Sequence, residues 1–442
     1  MCDANPIFSK TRFLARYGEG HCSPDLTTTM VAVTAKITNM VQSIDRSKLD
    51  TCIDMLLTSS LQDDVMISDY ASLDQFRKAC ILAFYEFHQF PGHQAWMRIG
   101  RLARIAYRVG LDRLESLRSL YYDWNTIEEE DMQEWRSIWW CIYRLDSYSN
   151  IASGTPYVVE DNLFSTSLFV AQTHMSPNGN ITAGDLRLPP RSQGFWSIIP
   201  DILLDSENAL MNIHNVTVAA MRQAGSMARV YFLRSKEEST AYTADLEQQI
   251  SALRLALPTH WFSPRRNAFL RESQDAQHGR LVTVLHLLMA QLILSAIICT
   301  QGQSENWLVA WERVLETCQD IASVAANWDS AFCLKVDPAV AFVSFTALIM
   351  LELHRKSSAL SDPNLESKIR SDQTALRLQL NHFAKVWMLP KLLTLSFESF
   401  AESIPDRLPE EDVVRILSRF EAPLHPRWLQ FLSSAHIIPE IV

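Results

Sequence analysis

Apolar residues recur at i, i+3 and i+4 through most of the chain, and no alternating strand pattern bounded by hairpin turns competes with that spacing. The pattern predicts helices over Pro24–Val41, Arg46–Ser60, Ser72–Gln89, His93–Val109, Ile127–Ser153, Pro200–Leu233 and Thr243–Leu255. It continues over His278–Gln301, Trp307–Asn327, Ala339–Lys356, Leu365–Trp387, Leu389–Ser403 and Glu410–Phe420. The expected class is all-α, a large multi-helix domain. Between Ser165 and Arg191 the periodicity lapses into a stretch rich in Pro, Gly, Asn and Thr, which reads as the longest loop. The expected organisation is 1–165, a loop at 166–192, and a helical continuation over 193–442.

The segment with the sharpest local pattern is His93–Val109, entered through a Pro91-Gly92 turn. Trp96, Ile99, Leu102, Ala103, Ala106 and Val109 share one face, which predicts a core stripe. Gly110 followed by Leu111 reads as a left-handed glycine closing the helix, with its apolar contact behind it. Arg98, Arg101, Arg104 and Arg108 form a stripe about 120° wide on the opposite side. Such a stripe suits a phosphate or acidic partner; the plainer reading, adopted here, is a solvated or internally paired face. Thr126-Ile127-Glu128-Glu129 reads as a capping box, and the carboxylates from Glu128 to Asp131 suit a helix N-terminus better than a catalytic dyad.

The following helix places Trp135, Ile138, Trp139, Ile142 and Leu145 on one face, and Asp146 falls inside that apolar arc. A carboxylate buried there without partners either costs several kcal/mol or has its pKa raised, so a structural clamp is expected. The sequence candidates for its partners are the Arg101 region and the backbone of the Gly154-Thr155-Pro156 turn.

Composition narrows the function. With 48% hydrophobic and 20% charged residues the chain has the balance of a globular protein, and only 12 glycines argue against glycine-rich nucleotide-binding folds. A net charge of −10 disfavours unaided nucleic-acid binding, because phosphate contacts need a basic surface. Eight cysteines, never closer than fifteen residues, show no zinc spacing and read as isolated thiols in a reducing compartment; no secretory leader is recognisable. Leu281–Cys299 runs nineteen residues without a charge, the length of a membrane span. His286, Gln291 and Ser295 within it, and a second apolar run at Pro338–Leu353, favour buried core helices and no membrane contact. Searches for HExxH, GxSxG, P-loop and GxGxxG arrangements find none, so no catalytic residue, cofactor or metal site is assigned. His88 and His93, flanking the Pro-Gly turn, read as helix-end polar residues rather than metal ligands.

Residues 80–114 (CILAFYEFHQFPGHQAWMRIGRLARIAYRVGLDRL) and 135–162 (WRSIWWCIYRLDSYSNIASGTPYVVEDN) together resemble the fungal-specific transcription factor domain, the middle homology region of binuclear zinc-cluster regulators. The likeness is carried by Ala95-Trp96, the Arg101-bearing helix closing on Gly110-Leu111, the Arg136–Trp140 block with Trp139, Leu145-Asp146, and Gly154-Thr155-Pro156. Residues 6–37 are similar to the family's domain entry. The resemblance implies a regulatory domain of a transcription regulator, acting in the nucleus on a metabolic or secondary-metabolite pathway. The family's six-cysteine cluster is missing from these residues, so DNA is expected to be reached only indirectly. The expected partners are proteins: transcription machinery, an intact zinc-cluster protein or a second copy of the chain, with a small-molecule effector as a further expectation. The competing readings are a partner-dependent co-regulator or antagonist, an enzyme on a helical scaffold, and a membrane-associated protein.

Overall fold

A computed structural model describes residues 7–38, 46–62, 72–169, 186–190, 192–231, 236–300, 307–357, 362–419, 422 and 425. Among them are seventeen α-helices and no strand, so the all-α expectation holds. The chain divides into two compact units. The first comprises 1–149, 157–190 and 201–212, and the second 150–156, 191–200 and 213–442.

The first unit holds α1 (Lys10–Gly18), α2 (Pro24–Thr38), α3 (Arg46–Gln62), α4 (Leu73–Gln89), α5 (His93–Val109), α6 (Leu114–Leu120), α7 (Tyr122–Asn125) and most of α8 (Glu129–Ser153). A capping box starts α4: the Ser72 hydroxyl accepts from the Gln75 N–H, and the Gln75 side chain accepts from the Ser72 N–H. The box expected at Thr126 does not form. Thr126 Oγ1 donates instead to the Asp123 carbonyl at 2.9 Å, closing α7, and α8 begins at Glu129. A threonine hydroxyl one turn past a short helix finds a free carbonyl before it finds the next helix.

The long helix expected over Pro200–Leu233 is broken into α9 (Ile199–Leu204) and α10 (Ala209–Val230). Asp205 is the cause. One of its oxygens accepts from the Glu207 and Asn208 N–H groups, and the other from the Asn208 side chain at 2.9 Å. This local bonding offers the backbone a turn in place of a helix.

The second unit contains α11 (Lys236–Ala256), α12 (Gln274–Cys299), α13 (Trp307–Ala326), α14 (Ala341–Lys356), α15 (Pro363–Ala384), α16 (Met388–Ser403) and α17 (Glu410–Ser418). Ser273 caps α12 by accepting from the Ala276 N–H, so this helix begins a turn earlier than its apolar run. Helix α12 packs against α13, α11 and α17, and 89% of its most apolar window is buried within the protein. The corresponding figure for Pro338–Lys356 is 94%. Both runs therefore sit as core helices. His286, inside the charge-free run, lies with Nδ1 3.1 Å from Thr217 Oγ1 and its ring edge-on to His214.

Arg280, fully buried on α12, organises the break that precedes the helix. Its guanidinium donates to the carbonyls of Trp261, Ser263 and Arg265 and to the Glu272 carboxylate at 2.7 Å. Burial alone would raise the Glu272 carboxyl; the bonds from Arg280 and the Asn267 N–H outweigh it and hold the group below its ordinary value. His354 on α14 stacks on Trp311, ring centroids 3.6 Å apart, and its burial lowers the imidazole pKa to about 3.

Two predictions follow from these packing facts. Gly110 closes α5 at φ +86°, and an added Cβ would stand 3.0 Å from Leu117 Cδ1. Gly110→Ala is expected to lower stability by about 2 kcal/mol, read as an earlier thermal midpoint by circular dichroism. For His354 the unfolded chain binds a proton near the ordinary imidazole value while the folded protein refuses it down to about 3. Its contribution is therefore fully present above the unfolded value and is lost as pH falls below it, by at most about 1.4 kcal/mol per pH unit. His354→Phe should flatten the decline in urea-unfolding free energy between about pH 6.5 and 5 relative to wild type; parallel curves would count against this.

Candidate functional site

The residues singled out by the sequence gather chiefly around α5, α8 and the segment that follows α8. Asp146 is fully buried, and its two oxygens accept from the Val158 and Val159 N–H groups, both at 3.1 Å. The clamp is thus made to loop backbone, as expected, but just beyond the Gly154-Thr155-Pro156 turn. Arg101 is half-buried on α5. From α5, Tyr107 offers its hydroxyl to the Glu160 N–H at 3.1 Å, while from α8 Tyr143 donates to Asp161 at 3.0 Å. Residues 158–161 are therefore fastened by both helices.

Trp139 is fully buried between Tyr107, at 5.7 Å centroid to centroid, and Phe164, at 5.5 Å. Its neighbour Trp140 donates its indole N–H to the Ser167 carbonyl at 2.9 Å. Gly154 adopts φ +68° at the end of α8, where the Thr155 N–H reaches back to the Asn150 carbonyl and the Thr155 hydroxyl donates to the Asn150 side chain. Pro156 follows in an exposed position. Trp96 is only half-buried, 6.2 Å from the exposed His93 ring, and so is a border residue rather than the core residue its spacing suggested.

The arginine stripe divides. Arg104 and Arg108 are exposed, whereas Arg98 is buried and pairs with Glu86 at 2.5 Å, with a further bond to the Leu57 carbonyl. The helical wheel explains both departures, since Arg98 and Trp96 stand at opposite edges of the apolar arc, within roughly 20° of a core position. The acidic start of α8 is also consumed in pairing. Asp131 meets Arg12 at 2.7 Å, Glu129 meets Arg136 at 2.6 Å as well as Arg118, and Glu115 closes on Arg136 at 3.0 Å.

Several members of this constellation have no local sequence signal. Arg77 is buried between Asp74 and Glu134, both at 2.9 Å, and donates to the Ile7 carbonyl. Thr166 bonds the Leu111 carbonyl and the Leu114 N–H, tying the post-α8 segment to the chain just after Gly110. Cys80 on α4 and Cys141 on α8, isolated thiols in sequence, are neighbours in space; burial, then the bond to Cys141, pushes the Cys80 thiol well up. His88 is a buried core residue with Nδ1 2.8 Å from the Phe84 carbonyl, while His93 is exposed.

Chemically, this is a positioning scaffold. Both Asp146 oxygens are engaged by backbone donors, and Glu129 and Asp131 at the start of α8 are held by guanidinium groups. Among the described residues no group of three or more His, Cys, Asp or Glu side chains is placed to hold a metal ion. The clamp makes a defined prediction. In Asp146→Asn the amide oxygen still accepts but the NH₂ faces a backbone N–H, so stability should fall by about 2 kcal/mol. Cleavage by chymotrypsin within 157–169, after Tyr157, Leu163 or Phe164, should rise with it. Unchanged melting and cleavage would show that Asp146 is not a structural clamp.

Comparison with known proteins adds one positive finding. No curated protein matches the chain, no solved structure matches it, and no zinc-cluster family matches it. The fungal specific transcription factor domain matches residues 2–257, which span α1 to α11 and include Trp96, Arg101, Gly110, Trp139, Asp146, Gly154 and Pro156. That match covers more than half of the 442 residues, and the chain belongs to the fungal specific transcription factor domain family.

Proposed function

We propose that this chain is the control domain of a transcription regulator, non-enzymatic itself, that acts in the nucleus through protein partners and reaches DNA only indirectly. The observation that carries the reading is the family match over residues 2–257, which contains the Asp146 clamp, the Gly110 closure and the Trp139 cluster. The charge agrees, because a net −10 gives poor unaided affinity for phosphate. Contact with DNA then comes from a reader outside these 442 residues, whether on the same polypeptide or on a partner. The cysteine spacing favours, as the second reading, a co-regulator or antagonist that joins an intact zinc-cluster protein.

A tethering assay tests the proposal. The 442-residue chain fused to an unrelated sequence-specific DNA-binding domain is expected to raise or lower transcription of a reporter carrying that domain's site by about fivefold or more. The unfused chain should concentrate in nuclei and co-precipitate transcription components. An inert fusion, together with a wholly cytoplasmic chain that captures no transcription component, would overturn the reading.

A further inference from the structure

The run Leu281–Cys299 is interrupted by four polar residues; Thr283 accepts from the Trp261 indole N–H and donates to the Arg280 carbonyl, and packing against Thr217 and His214 accounts for His286. The other two, Gln291 and Ser295, lie one turn apart on α12 and face a cavity of about 610 Å³ between α11, α12 and α13. Ser295 is 2% exposed, and polar side chains on an otherwise apolar core helix ask for a polar neighbour. The protein supplies only the rim. Glu247 and Arg254 stand on α11, and Arg313 and Glu316 on α13.

These four charges balance, and among the described residues no ion pair within 4 Å joins them. Burial raises the Glu247 carboxyl, an effect that the charge of Arg313 only partly opposes. Arg254 lies 5.1 Å from the Phe262 ring and near enough to Asp320 of α13 to favour that carboxylate's charged form, but no hydrogen bond or ion pair within 4 Å joins the two. Ile250, Leu255 and Leu294 complete the wall with apolar surface. A simple anion would meet the two carboxylates, and a simple cation the two guanidiniums. A molecule carrying both charges satisfies both pairs, while the Gln291 amide and Ser295 hydroxyl bond its polar centre.

We infer that this cavity binds a zwitterionic small molecule with an apolar side group, of amino-acid or short-peptide type, its carboxylate held by Arg254 and Arg313 and its ammonium by Glu247 and Glu316. The volume falls in the range of small-molecule sites, about 300–1,000 Å³, and a guanidinium fork suits a carboxylate. The biological meaning of the site, as an effector pocket, rests on the regulatory reading above; the binding itself does not.

Isothermal titration calorimetry on the full 442-residue chain tests it, using L-leucine, L-phenylalanine and leucyl-leucine as probes. N-acetyl-L-leucine and L-leucinamide, each lacking one charge, serve as controls. At least one zwitterion is expected to bind saturably, and either single-charge analogue to bind about tenfold more weakly or worse. Arg313→Gln and Glu247→Gln, both on the rim where folding is little affected, should each weaken the zwitterion by a similar factor; circular dichroism melts confirm that they fold. Absence of binding by every zwitterion at about 10 mM, equal binding of the capped analogues, or full binding by both folded variants overturns the inference. Tethered regulation without probe binding removes the cavity proposal alone, whereas probe binding with an inert fusion removes the regulatory reading alone.

Discussion

A guanidinium taken out of water has five N–H donors to satisfy and a charge to neutralise, and this helical chain buries several of them almost completely. Arg77, Arg98, Arg136 and Arg280 are each within a few per cent of full burial, and each meets a carboxylate. The pairing dictates where elements go. Arg77 draws in the Ile7 carbonyl and shares Glu134 with Arg12, which fixes the residues around α1 against α4 and α8. Arg136 gathers Glu115 and Glu129, and Arg280 shapes the turn before α12. Loss of one partner from such a buried set typically costs about 3–5 kcal/mol, more than most single apolar contacts return. Helix packing in an all-α chain tolerates sliding; a charge that must find its counter-charge does not.

Seen this way, the legible and illegible parts of the sequence separate by range. Helix α5 was readable to the residue, because seventeen positions of consistent amphipathic spacing end on a glycine that alone accepts φ +86° comfortably. The need for a clamp at Asp146 was readable too, since a carboxylate within an apolar arc has few options. That loop backbone after α8 would serve it was readable as well, but not that Val158 and Val159 supply the N–H groups, since every non-proline residue carries one. Short helices α1, α6 and α7 escaped notice for want of enough turns to establish a period. Arg98 and Trp96 were misplaced because a helical wheel does not say how far a neighbouring helix overlaps the edge of an apolar arc. Asp205 was missed because a single Asx turn interrupts an otherwise continuous helical pattern.

The candidate cavity shows the same division from the other side. Gln291 and Ser295 were visible as polar interruptions in an apolar run, and their i, i+4 spacing sets them on one face, but the charges that face them from α11 and α13 belong to tertiary packing alone. Of the elements around that cavity only α11 lies within the family-matched residues 2–257; α12 and α13 follow them.

Helix α12 also has a history before it has neighbours. It leaves the ribosome with nineteen consecutive uncharged residues, and two of its packing partners, α13 and α17, are encoded after it. At roughly 5–20 residues per second, the chain from Cys299 to the end of α17 takes on the order of 6–24 seconds to appear. Until α13 is complete at Ala326, on the order of 1–5 seconds, a segment long enough to cross a bilayer is covered by α11 alone among these three, and for the rest of the interval α17 is still missing. Nascent-chain factors that hold apolar segments thus have a defined client window in this protein, opening with α12 and closing with the synthesis of α17.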